Sequence, residues 1–236
     1  MLLFIVVEGQ TEEKFVKQML APHLYRMTQP GCLDIRTMIV TTSRDALGLK
    51  RRGGGNWGKW LSDLKRLIDK PQGRFTTMFD LYGLPRDFPR VAESFGDSDT
   101  VRRVEMLEQA MADAVGDRRF IPYIQRHEFE ALVLAALDPL ELLLEGDDLA
   151  GLRRLQEDIA GAAPEDVNDG PETAPSKRLE RFIPSYQKTL YGPLALEGAG
   201  MAVLRAACPR FDTWIKTLEK VVADANSAAS ALQPEP

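Results

Sequence analysis

The sequence predicts an α/β protein: a mainly parallel sheet flanked by helices, followed by a helical C-terminal extension. Three observations lead there. Short β-prone apolar runs alternate with segments whose apolar residues recur at helical spacing, the order that gives parallel strands joined by right-handed crossovers. Two of those runs stop on a carboxylate, Glu8 and Asp80, which puts acids at the sheet edge where open α/β sheets bind ligands. Beyond Asp138 the strand-like runs cease and short helical patterns replace them.

Leu2-Leu3-Phe4-Ile5-Val6-Val7 is apolar throughout and reads as a buried central strand that ends on Glu8. Gly9 and Thr11 read as the turn capping a helix over Glu12 to Leu24, with Phe15, Val16, Met19 and Leu20 on its apolar stripe. Ile35 to Thr41 reads as the next strand. The Lys50-Arg51-Arg52-Gly53-Gly54-Gly55-Asn56 stretch is loop, because consecutive glycines cost too much order inside an element. Trp57 to Ile68 is an amphipathic helix, and Arg74 to Phe79 is a strand ending on Asp80. Tyr82 to Pro85 is loop, and Val101 to Val115 is a second amphipathic helix. Phe120 to Ile124 is an edge or irregular strand, since Pro122 has no N–H to give a ladder. It leads through Arg126-His127-Glu128-Phe129-Glu130 into a helix over Ala131 to Leu137.

The remainder reads as Leu140 to Leu144 and Leu149 to Ile159 helical, Gly161 to Pro175 a connector, and Ser176 to Tyr191 partly helical. Gly200 to Ala207 and Phe211 to Val222 complete the helical set. The expected division is an α/β core over residues 1–137, a helical extension packed on it over 138–223, and a flexible tail over 224–236.

With 236 residues and 44% hydrophobic content, the chain can bury one sizeable core and a modest appendage. Cys32 and Cys208 do not make a disulfide framework. The apolar opening is too short for a signal peptide and no run is long enough to span a bilayer, so a cytoplasmic protein without membrane association is expected. Net charge is −5 but unevenly spread: Arg44 to Arg74 carries +6, and Asp138 to Glu172 carries −9. A local basic surface for a polyanion is therefore compatible with an acidic molecule.

Glu8, Asp80, Glu128 and Glu130 come from separate stretches and are the candidate metal ligands. Clustered carboxylates repel unless a proton or cation sits among them, and oxygen donors from several elements are what Mg²⁺ or Mn²⁺ needs. Any one of them alone reads equally as a helix cap or a solvated acid. Glu128 and Glu130 need not share a ligand, being two residues apart. His127 reads as a structural junction residue more readily than as a proton carrier, and two histidines in all, with His23, do not make a zinc site. Lys50, Arg51, Arg52 and Lys59, beside two tryptophans, could bind phosphates while an indole stacks on a base; Trp60 reads as core and Trp57 is left open. Lys177 and Arg178 follow a capping Ser176, where the helix dipole disfavours cations, which hints at an anion nearby. Neither a Walker loop nor a serine-hydrolase elbow occurs.

Val6-Val7-Glu8-Gly9-Gln10-Thr11-Glu12 resembles the opening of a TOPRIM domain, the fold shared by topoisomerases, primases and OLD-type nucleases. Asp80-Leu81-Tyr82-Gly83-Leu84-Pro85, Pro122 to Glu130 and Pro175-Ser176-Lys177-Arg178-Leu179 resemble one bacterial TOPRIM-like group, the domain-of-unknown-function family 4276, over nearly the whole chain. The resemblance implies a Mg²⁺ site for phosphodiester chemistry in which Glu8 and Asp80 match the first two acids. Tyr82 stands where the second aspartate of an Asp-x-Asp pair belongs, so Glu128 or Glu130 is expected to replace it. Lys177 is expected to parallel the lysine that OLD-type sites place near the scissile phosphate. An ABC or AAA-type ATPase partner and a phage-defence or DNA-repair setting are also implied.

The leading expectation is thus a Mg²⁺- or Mn²⁺-dependent nuclease acting on DNA or RNA, with Glu8, Asp80, Glu128, Glu130 and Lys177 catalytic and Lys50, Arg51, Arg52, Lys59 and Arg178 binding nucleic acid. One alternative is a catalytically silent TOPRIM module serving an ATPase complex as sensor or effector, which Tyr82 favours. Another is a phosphatase or nucleotide hydrolase using the same acids. The helical extension could dock a partner or a second copy.

Overall fold

Strand β1 (Leu2–Val7) is central, paired in parallel with β2 (Asp34–Ile39) and β3 (Gly73–Asp80), and both of its faces are covered by helices. β4 (Phe120–Ile121) completes the order β2-β1-β3-β4, and β5 (Ile124–Gln125) pairs with β3 further along; every pairing is parallel. This is a computed structural model, and it describes residues 1–29, 31–40, 56–71, 73–168 and 170–230. Among the described residues no helix is long and apolar enough to cross a membrane.

Alternation along β1 sends Leu3, Ile5 and Val7 to one face and Phe4 and Val6 to the other. The first face packs against α1 (Gln10–Phe15) and the C-terminal helices α6 (Glu130–Leu134), α7 (Leu137–Glu141), α8 (Gly146–Asp158), α9 (Pro175–Phe182), α10 (Lys188–Ala207) and α11 (Pro209–Ser230). The second packs against α3 (Trp57–Ile68), α4 (Val91–Ser94) and α5 (Thr100–Val115). The result is the expected sheet flanked by helices. Trp214 on α11 stacks on Tyr123 at 4.3 Å and donates its indole N–H to Thr76 of β3 at 2.9 Å, which ties the C-terminal helices to the sheet.

Several elements depart locally from the sequence reading, each for a visible reason. The first helix widens into a π turn over Val16–Leu20 before α2 (Ala21–Tyr25), immediately ahead of Pro22, whose ring would crowd the carbonyl four residues back in a regular helix. The edge strand is broken at Pro122-Tyr123. There the Thr77 hydroxyl substitutes for the missing ladder, donating to the Tyr123 carbonyl at 2.9 Å and accepting the Tyr123 N–H at 3.0 Å. The expected helix over Ala131 to Leu137 stops at Leu134, and the next begins at Leu137 rather than Leu140.

α10 runs from Lys188 through Pro193 and turns at Gly200, which has φ +77°. Pro193 cannot bond the Thr189 carbonyl, and Lys14 of α1 takes that carbonyl instead at 2.7 Å. α11 continues to Ser230, so residues 224–230, expected as the start of a tail, are helical. Trp57 and Trp60 both enter the core, against Phe88 and Phe79 at 4.6 Å each, which removes Trp57 as a base-stacking surface.

Candidate active site

The register that pairs Val7 with Met78 brings the carboxyl ends of β1 and β3 side by side. Glu8, one residue past β1, accepts the backbone N–H of Asp80 through Oε1 at 2.7 Å. A one-turn 3₁₀ segment, Leu81–Gly83, then folds over the Glu8 carboxylate. A Cβ on Gly83 would lie 2.2 Å from Glu8 Oε2 and 2.8 Å from both its Cδ and Oε1, so any side chain there would have to displace the Glu8 carboxylate.

Three further acids meet these two. Glu12, in the first turn of α1, is 7% exposed, and Glu130, opening α6, is 4% exposed. Glu128 accepts the N–H of Ser176, at the start of α9, at 2.5 Å. The chain reaches these positions through His127, a non-glycine residue at φ +64°, a conformation costing about 1–2 kcal/mol. His127 is held there by Tyr82 twice over: its carbonyl accepts the Tyr82 N–H at 3.0 Å, and its Nδ1 lies 2.9 Å from the Tyr82 hydroxyl. Asn168 also donates to that hydroxyl.

The electrostatics are those of acids crowded away from water. Burial and the neighbouring Glu12 push the Glu8 carboxyl up to about 8, against the pull of the Asp80 amide. Burial, with the fields of Glu8, Glu12, Glu130 and Glu128, raises Asp80 well above the usual carboxylate range. Glu12 is raised by burial as well, and Glu130 is pushed up to about 7 by burial despite the nearby Lys188. Lys188, in the first turn of α10, stands 3.4 Å from Glu130 and brings an ammonium to this rim. His127 is depressed to about 4 by burial and by Arg126, so it is a neutral imidazole near neutrality.

Two observations bear on whether a divalent cation fits. Asp80 Oδ1 is buried with no hydrogen-bond partner, and the Tyr186 hydroxyl, whose pKa is raised by burial and then by the fields of Glu130 and Glu128, is likewise unpartnered. Five carboxylates with a single ion-paired lysine leave negative charge that protons or a cation must neutralise. The donors are all oxygen, which suits Mg²⁺ or Mn²⁺ rather than zinc. Among the described residues no three acid, histidine or cysteine side chains are arranged as a ligand shell that could hold a metal ion.

Of the residues singled out in the sequence, Glu8, Asp80, Glu128 and Glu130 lie together at this rim. Lys177 does not reach it: its ammonium pairs with Glu180 at 3.2 Å on the exposed face of α9. Arg178 bonds Asp158 and the Thr173 carbonyl, tying α9 to α8. Lys59 is exposed on α3, and Lys50, Arg51 and Arg52 lie outside the described residues. Glu12 and Lys188 were missed, though each left a signal. Glu12 precedes Phe15 and Val16 by three and four residues, so it shares their buried stripe. Lys188 is a cation in a helix first turn, the same dipole mismatch that drew attention to Lys177.

Comparison with known proteins gives the following. No curated protein matches the sequence. Among solved structures, the C-terminal region of the Burkholderia pseudomallei OLD protein is similar at TM-score 0.45 and 20% identity, covering 95% of this chain and 98% of that one. The C-terminal region of the Xanthomonas campestris pv. campestris OLD protein is similar at TM-score 0.43 and 18% identity, covering 97% of each. The family described as Domain of unknown function (DUF4276) matches residues 7–219, nearly the whole described fold, and the chain belongs to that family.

Proposed function

We propose that this protein is a divalent-metal-dependent nuclease that hydrolyses phosphodiester bonds in DNA or RNA. The observation that carries this reading is the convergence of Glu8, Glu12, Asp80, Glu128 and Glu130 at the carboxyl edge of a parallel sheet, with Glu8 seated on the Asp80 amide and an Asp80 oxygen left unpartnered. Glu8 and Asp80 would hold the cation, with Glu12, Glu128 and Glu130 as the reserve of oxygen ligands. When bound, Mg²⁺ or Mn²⁺ supplies Lewis acidity toward a phosphate and a hydroxide-like nucleophile near neutral pH.

The chain's own groups do the rest. The Leu81–Gly83 turn covers Glu8 and keeps water from solvating it freely. Tyr82 and His127 brace the turn that aims Glu128 and Glu130. Lys188 replaces Lys177 as the cation positioned to face a phosphate oxygen, since the exposed Lys177 points at Glu180.

The test is cleavage of single- and double-stranded DNA and RNA, tRNA included, with and without Mg²⁺ or Mn²⁺. Metal-dependent cleavage is expected, with Glu8→Gln and Asp80→Asn each reducing it by a factor on the order of 10² or more. Cleavage that persists unchanged in both variants removes this site from the reaction. The cellular setting we infer is cytoplasmic, beside an ABC or AAA-type ATPase in phage defence or DNA repair. It is supported by the resemblance of the sequence motifs to TOPRIM systems and is tested by co-purification of an ATPase with the tagged chain.

A further inference from the structure

Beside the acidic rim, the Leu81–Gly83 turn forms one wall of a second cleft of about 220 Å³, lined by Leu81, Tyr82, Leu84, Val91, Phe95 and Arg103. Its floor is apolar. Phe95, at the end of α4, is 72% exposed, an unusual cost for a phenylalanine in a chain that buries Phe4, Phe15, Phe75, Phe79, Phe88, Phe120, Phe129 and Phe211. Arg103, in the first turn of α5, lies over the Phe95 ring at 5.5 Å. Its neighbour Arg102 is held by Asp97 and Asp99, whereas the Arg103 Nε is buried without a hydrogen-bond partner. An exposed aromatic side chain, an apolar floor and a guanidinium beside them make a site for something flat, with acceptors on its rim.

The position of the cleft identifies that occupant further. Tyr82 closes the cleft on the side toward the carboxylates and is 37% exposed, and it follows Asp80 by two residues. A ligand in this cleft would share a wall, Leu81 and Tyr82, with the turn that covers Glu8.

We propose that the cleft is a stacking subsite for one unpaired nucleobase of a single-stranded nucleic acid. The base lies against Phe95 over Leu84 and Val91, and Arg103 donates to its acceptor edge. Placing the adjoining phosphate at Glu8 and Asp80 rests on the nuclease reading; the binding of the base does not. A base inside a duplex is stacked and paired on both sides and cannot enter, so the cleft selects unpaired strands.

The test measures binding of the full chain to a fluorescein-labelled single-stranded DNA of roughly ten nucleotides, in Ca²⁺, alongside the matching RNA and duplex. Phe95→Ala is expected to weaken single-strand binding by roughly 5- to 100-fold and leave duplex binding unchanged, while Phe95→Trp restores it. One abasic position scanned along the strand is expected to weaken wild-type binding to the same extent at a single site, with no further loss in Phe95→Ala. Equal single-strand affinity in wild type and Phe95→Ala would overturn the proposal. So would an equal loss on duplex, an abasic effect that adds to the mutation, or failure of the wild type to bind single strands. Base-dependent binding without metal-dependent cleavage would leave the subsite standing and remove the nuclease reading.

Discussion

At the scale of single residues, the site is a set of carboxylates kept under electrostatic strain, and that strain has measurable consequences. Glu8 and Glu130 hold protons more tightly in the folded chain, pushed up to about 8 and about 7, than in an unfolded one. Between the ordinary carboxylate range and those values, the native state binds more protons than the unfolded state. Stability therefore falls as pH rises through that window. The metal-free protein is expected to show a declining Tm from about pH 4.5 toward about pH 8. Saturating Mn²⁺ is expected to flatten that decline; a Tm that rises across the window without metal would contradict the account.

Gly83 offers a second residue-level prediction, because a methyl group there would have to push the Glu8 carboxylate off its place on the Asp80 amide. Gly83→Ala is expected to lower stability by about 1–3 kcal/mol in denaturant titration and to abolish metal binding with the sheet intact by circular dichroism.

At the scale of elements, the sheet edge is built by side chains standing in for backbone. Thr77 supplies both halves of the ladder that Pro122 interrupts, which keeps β4 and β5 on one line and so aims residues 126–130 at the rim. Thr77→Val is expected to destabilise by about 1–3 kcal/mol, because it strands the buried Tyr123 N–H and leaves the Tyr123 carbonyl with only the Phe79 N–H, while Thr77→Ser retains most of the wild-type stability. Equal stability of all three proteins in chemical denaturation would show that the hydroxyl carries no such role.

What could be read in the sequence also divides at this scale. β1 and β3 were legible because an apolar β-prone run halting on an acid is a local pattern, and α3 and α5 because their apolar stripes are periodic. The break in α6, the π turn and the left-handed His127 were not, since each is settled by what packs against it. Lys188 carried a local signal, a cation in a helix first turn, but its pairing with Glu130 was not legible, because that partner lies far away in sequence and only the fold brings the two together.

At the scale of the whole molecule, the sheet separates two cores, and the acids collect where the carboxyl ends of its central strands meet helix starts. α1, α6 and α10 each present a first-turn residue to that rim: Glu12, Glu130 and Lys188. The α/β layers and the C-terminal helices thus both contribute residues to this rim, and α11 is tied to the sheet through Trp214 and Thr76. The chain's excess of acid does not oppose a role with nucleic acid, because Lys188, Arg103 and Arg126 put positive charge close to the rim and its flanking cleft.

The most direct measurement is a calorimetric titration of metal-free protein with Mn²⁺ at about pH 7, in two buffers of different ionisation enthalpy. Saturable binding with release of protons is predicted for the wild type, with both signals lost in Glu8→Gln. An ion uptake that is absent, or that proceeds in Glu8→Gln as in the wild type without proton release, would contradict the assignment of this rim as a metal site.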